Sequence, residues 1–202
     1  SMRILMPLFF SFLLAACYAG GKRGSDMAMA IYDLGLHGEQ SGNTGAKTSM
    51  ALEVRAPLWF DSLGISYRLA YAEPARLREY GRARWAGPPS QLIQRRLMRD
   101  LGRIPAGQGK TACLLRLEID EFSQTFDTAD RSRAVMKGAA QWMNRSRSML
   151  WEQAIHIEVT AVSPDAKGGV AALTAAVEQL TAAIETWEQE PAAATRLAVC
   201  YS

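Results

Sequence analysis

Three long segments of this chain alternate apolar and polar residues with the two-residue period of a half-buried strand, and only short polar stretches separate them. Residues 112–126 set Leu115, Leu117 and Ile119 against Arg116, Glu118 and Asp120. Residues 132–144 and 150–162 continue the pattern, the last through Ile155, Ile157 and Val159. The connections at residues 127–131 and 145–148 are too short for a crossover, so the three are expected to form consecutive antiparallel hairpins. Such a sheet needs a cover for its apolar face. After Ser163-Pro164-Asp165 and Gly168-Gly169, the residues Val170, Leu173, Val177, Leu180, Ile184 and Trp187 recur at steps of three and four, which puts all six on one stripe of a helix. That stripe reads as core packing on the sheet, with a partner-binding stripe as the other reading.

Upstream, residues 29–34 read as a first strand and residues 50–60 as a second, with Leu52, Val54, Leu58 and Phe60 as its apolar side chains. Residues 65–71 alternate Ile65, Tyr67, Leu69 and Tyr71 against Ser66, Arg68 and Ala70, and residues 76–85 read as a short extended piece at a sheet edge. Gly87-Pro88-Pro89-Ser90 opens a helix, because proline lacks an N–H that the first turn cannot pair. Leu92, Ile93, Leu97 and Leu101 form its buried stripe, Gln94, Arg95, Arg96 and Arg99 its other side, and Gly102 its end. The expected class is α/β of the α+β type: a largely antiparallel or mixed sheet with two main helices packed against it.

The N-terminus says where such a domain would live. Arg3 precedes an apolar run over residues 4–14, and Leu14-Ala15-Ala16-Cys17 closes it as a bacterial lipoprotein signal does, with Cys17 the lipidated residue. Eleven residues give roughly half the ~30 Å of a hydrocarbon core, too little for a permanent span. A plain secretory signal cut elsewhere is the competing reading. Residues 1–16 are therefore taken as a tag residue and signal peptide, 17–28 as a tether, and 29–202 as a single domain. Residues 36–49, also rich in Gly, Ser and Lys, read as a mobile loop. Tyr18 in place of aspartate favours the outer membrane by the enterobacterial sorting habit. Without Arg3 the formal net charge falls from +3 to +2, too mild to argue for nucleic acid.

With Cys17 used by the lipid, Cys113 and Cys200 form an even pair in an oxidising compartment. A disulfide pinning the tail to the sheet and two unpaired thiols both fit.

Catalytic motifs do not assemble. Gly109-Lys110-Thr111 ends like a phosphate loop, but Ile104 stands where its first glycine belongs and a strand follows. His156-Ile157-Glu158 echoes a deaminase zinc triplet without its cysteine pair. His37 is the one other histidine, which leaves little material for a nucleophile–imidazole pair or a metal cluster. Glu118, Asp120, Glu121, Asp127 and Asp130 offer paired carboxylates for acid–base work or a calcium site, but alternation places Glu118 and Asp120 on the solvated side of a strand, which is the favoured reading. A cleft gathering Asp120, Asp127 and His156 would revive a hydrolase. The expectation is no enzyme, no cofactor and no metal site. The arginines at 76, 78, 82, 84, at 95, 96, 99, 103 and at 131, 133, 145, 147 read as scattered surface, or as a face for anionic headgroups or an acidic partner if they converge.

The order of the lipobox, Tyr32-Asp33-Leu34, Ala56-Pro57-Leu58-Trp59, residues 67–71, Trp85-Ala86-Gly87-Pro88-Pro89 and residues 117–127 resembles the PqiC-type auxiliary lipoproteins of ABC transporters. Gly168-Gly169-Val170 before the final helix fits too, whereas the glycine-rich loop at 36–49 departs from the pattern. The resemblance implies an outer-membrane, periplasmic lipoprotein that accompanies an inner-membrane transporter and an MCE (mammalian cell entry) protein in lipid transport or membrane integrity. It also implies a homo-oligomer. Tyr67, Tyr71, Tyr80, Arg82 and Trp85 are the candidate partner-contact residues, with packing at the sheet edge as the alternative. A lipid-anchored regulator of an envelope or cell-wall enzyme is the competing function.

Overall fold

The computed structural model describes residues 28–35 and 50–201. Cys17, the tether up to residue 27, His37 and the loop at 36–49 lie outside them. Eight strands form one mixed sheet: β1 (Ala30–Tyr32), β2 (Met50–Arg55), β3 (Gly64–Leu69), β4 (Glu73–Trp85), β5 (Ile104–Pro105), β6 (Cys113–Thr128), β7 (Arg131–Asn144) and β8 (Met149–Thr160). Three helices accompany them: α1 (Pro89–Leu101), α2 (Ala166–Gln189) and α3 (Pro191–Leu197).

The two long hairpins run as the alternation requires, β6 antiparallel to β7 and β7 antiparallel to β8. The other edge of β6 is shared. Its first half pairs parallel with β2, from Met50 opposite Cys113 to Arg55 opposite Glu118, and its second half pairs parallel with β3, from Tyr67 opposite Gln124 to Leu69 opposite Phe126. Between these half-sheets the chain leaves β2 at Arg55 and returns at Gly64, so residues 56–63 project from the junction.

α2 buries Val170, Leu173, Val177, Leu180 and Ile184 against the sheet, which is the core-packing reading of its stripe. α1 buries Ile93, Leu97 and Leu101 beside β2, and Gln94 Oε1 accepts the Val54 N–H at 2.9 Å. Gly102 closes α1 at φ 63°, where a side chain would be strained.

Four expectations change. The second strand stops at Arg55, before Pro57, instead of running to residue 60. β4 is thirteen residues long instead of a short piece; it lies at a sheet edge over residues 73–82, and only its last three residues, Ala83–Trp85, also pair with β1. β5 and α3 were not anticipated, since two residues carry no periodicity and α3 is mostly alanine. Finally, Arg96 and Arg103 are buried instead of solvated.

Candidate functional site

The five residues singled out for partner contact do not share one surface. Trp85 is 1% exposed and stacks on Phe122 with ring centroids 5.8 Å apart. It is a core residue and offers nothing to a partner. Tyr67 and Tyr80 are half-buried and face α2: their rings lie 4.8 Å apart, Tyr67 also meets the Phe126 edge at 5.9 Å, and the Tyr80 hydroxyl donates to Gln124 Oε1 at 2.7 Å. Burial, with smaller contributions from Tyr67 and Asp165, pushes the Tyr80 hydroxyl well above the usual phenol range. Tyr71 and Arg82 are the two that remain exposed. The division has a cause in register. Gly64 lies opposite Arg84 but Ser66 lies opposite Glu79, so an irregularity in β4 turns its side chains over between Tyr80 and Ala83. Strict alternation cannot announce such a shift.

The acidic residues are dispersed. Asp120 is exposed, Glu121 pairs with Arg68 at 2.9 Å, Asp127 pairs with Arg133, and His156 lies 3.1 Å from Glu158 on the outer face of β8. Asp120 and Asp127 are seven residues apart on one strand, roughly 23 Å, so they and His156 form no common cleft. Residues 107–112 make the turn before β6, with Gly107 and Gly109 at positive φ, and not a phosphate loop before a helix.

What the sequence missed are two arginines inside the helix layer. Arg96 donates Nε–H to Asp100 at 2.6 Å, a second N–H to the Leu34 carbonyl at 2.5 Å and a third to Glu178 at 3.1 Å. Burial alone would lower its pKa, and the two carboxylates more than offset that and keep it charged. Arg103 donates to Glu188 at 2.6 Å, whose other oxygen accepts from Trp142 Nε1 at 2.9 Å. The signal was present in the spacing: Arg96 lies three residues after Ile93 and four before Asp100, on the border of the apolar stripe.

Cys113, at the start of β6, is bonded through sulfur to Cys200, with Cα atoms 5.4 Å apart. The bond holds the end of the chain against the sheet. No helix among the described residues is long and apolar enough to cross a membrane.

In the solved structures this fold is found in a Xanthomonas campestris protein of the DUF330 family, with 18% identity and a TM-score of 0.66 over 79% of this chain and 94% of that one. A second crystal structure, of an uncharacterized protein, gives 16% identity and a TM-score of 0.60 over 79% and 97%. No curated protein matches. The family model described as "ABC-type transport auxiliary lipoprotein component" matches residues 32–185, and the chain belongs to that family.

Proposed function

We propose that this chain is a lipid-anchored periplasmic adaptor, acylated on Cys17 and held at the inner leaflet of the outer membrane, where it joins an MCE-domain protein and inner-membrane permease subunits in lipid transport. The observation that carries the reading is the family match over residues 32–185, downstream of a lipobox that ends at Cys17. The role is positional.

The acyl chains hold the domain at one surface, since each buried methylene contributes ~0.8 kcal/mol. From Cys17 to Ala28, where the described chain begins, the backbone spans at most roughly 40 Å. Confinement within that reach raises the effective concentration of the folded surface near the transporter's distal end. Tyr71 and Arg82 remain as exposed candidates for the contact, and the domain is expected to work as a homo-oligomer.

The test is capture of the full-length lipoprotein from crosslinked cells. Recovery of MCE and permease subunits supports the adaptor. Recovery of a cell-wall synthase without them overturns it in favour of an anchored regulator.

A further inference from the structure

Residues 57–63 form a rigidly based turn with an apolar tip. The Phe60 and Asp61 amides both donate to the Pro57 carbonyl, at 2.9 and 3.0 Å, and Phe60 is buried at 2% exposure. Asp61 accepts from the Ser90 amide at 2.9 Å and from its hydroxyl at 2.6 Å, which fastens the turn to the start of α1. Between these pinned residues Leu58 is 92% exposed and Trp59 76% exposed. Two large apolar side chains held out on an ordered base are not the scattered surface hydrophobes of an ordinary domain.

On one side the Ser62 hydroxyl of the turn donates to the exposed Glu79 carboxylate at 2.7 Å; on the side of β1 the surroundings are apolar. The Leu63 carbonyl accepts from the Trp85 amide and the Tyr32 carbonyl from the Ala86 amide, so the turn's base and the end of β1 meet at one corner. There Met29, Ile31 and Leu63 are exposed, at 48%, 57% and 42%. Arg84 stands in register between Ile31 and Gly64, and neither it nor Arg82 has an ion-pair partner among the described residues. Indole and leucine at the tip, with the Arg84 guanidinium in register at the turn's base and without an ion pair among the described residues, match the boundary layer of a bilayer, apolar below the headgroups and anionic at them.

We propose that the Leu58–Trp59 turn inserts into the membrane surface, orienting the domain on the bilayer that holds its lipid; the proposal rests on the anchoring by Cys17 put forward above. The chain geometry allows it. Ala28 precedes Tyr32 by four residues, roughly 13 Å of strand, and β1 is two strand spacings, roughly 10 Å, from β3. The tether's reach of at most roughly 40 Å exceeds their sum, so lipid and turn can occupy one leaflet together.

The experiment uses the full-length acylated protein in vesicles of phosphatidylethanolamine and phosphatidylglycerol, with and without bromine on the acyl chains. Bromolipid should quench the Trp59 share of the emission in the parent, and that quenching should vanish in W59F, whose remaining tryptophans lie in the folded body. L58S/W59S, altered only at exposed positions, should keep its melting temperature and lose orientation, read as roughly tenfold faster proteolysis of the corner on vesicles. Equal quenching in parent and W59F overturns the proposal. So does a photo-crosslinker at position 58 that captures protein and no lipid. Mass spectrometry of the same sample separates the two readings. Acylated Cys17 with an unquenched Trp59 overturns the turn's insertion and leaves the anchor standing, whereas quenched Trp59 on an unacylated chain supports the insertion and overturns the anchor.

Discussion

Arg96 and Asp100 are bonded at 2.6 Å one turn apart on α1, and their side chains are 4% and 9% exposed. The pair does more than stabilise its own helix, because the same guanidinium holds the Leu34 carbonyl just beyond β1 and reaches Glu178 on α2. Three elements distant in sequence are joined through one charge.

Removing one member of a buried pair leaves the other uncompensated, so Asp100→Ala should lower the unfolding free energy by about 3–5 kcal/mol. Glu178 is 51% exposed, and Glu178→Gln should cost under about 1 kcal/mol, since water screens that arm. Urea denaturation of both variants is the measurement. A loss for Asp100→Ala as small as that for Glu178→Gln would mean that the Leu34 carbonyl and solvent suffice to hold Arg96.

The Cys113–Cys200 bond closes a loop of 87 residues in separation. Constraining the unfolded chain to that extent is worth roughly 4–5 kcal/mol by chain entropy, and native disulfides typically return about 2–4 kcal/mol. C113S/C200S should therefore melt well below the parent under oxidising conditions and match it under reductant. Its C-terminal residues should also be trimmed faster by carboxypeptidase, as the tail beyond α3 then keeps contacts such as those of the Tyr201 hydroxyl with Glu188 and Arg103 but no covalent tie to the sheet. A melting temperature unmoved by reductant in the parent would show that the bond adds nothing.

The sheet-building half of the fold was legible because local signals agreed there. In β6, β7, β8 and α2 the period, the turns and the caps all point one way, and each element follows within a few residues. Legibility failed where a long-range partner decides. β4 runs thirteen residues because β3 pairs with it from Glu73 to Arg84 and β1 takes up its last three residues, and Trp85 is buried because an irregularity near Tyr80 reverses the strand's faces. The buried arginines were misread for a related reason. A guanidinium on the border of a helix stripe goes to solvent unless carboxylates elsewhere await it, and Glu178 and Glu188 are about eighty residues away. Of the candidate contact set, the sequence could name aromatic and basic residues but not the side of the sheet on which each would fall.

Asp165 is the N-cap of α2, accepting the Gly168 amide at 2.7 Å and the Ser163 hydroxyl at 2.8 Å. These bonds, the amide's first, hold its carboxyl below the ordinary value of 3.8. A carboxylate with a depressed native pKa contributes stability that is fully present above the unfolded value and lost as pH falls through the native one. Asp165→Ala should therefore cost about 1 kcal/mol at neutral pH. The cost should persist down to about pH 4 and fade below it as the parent's cap is protonated and loses its charge. Asn at this position should retain most of the cap and show no such fading. Denaturation midpoints measured across that interval decide it, and a constant difference between parent and D165A would rule out the charge as the source.

Gln124 settles what Tyr80 is for. Fully buried, it accepts from the Tyr80 hydroxyl and donates through Nε2 to Ser132 Oγ at 2.8 Å, while Gly169 of α2 leaves no room there for a Cβ. Tyr80→Phe leaves the Gln124 acceptor short of a donor, and Gln124→Leu strands the Tyr80 hydroxyl, so each should cost roughly 1–3 kcal/mol. The double variant removes both halves of one bond and should cost less than the sum by about 1 kcal/mol. A packing role then requires that Y80F, once folded, still captures the same transporter subunits as the parent. If Y80F keeps its stability and loses that capture, the hydroxyl faces the partner in the assembly and the bond to Gln124 is not what selects a tyrosine here.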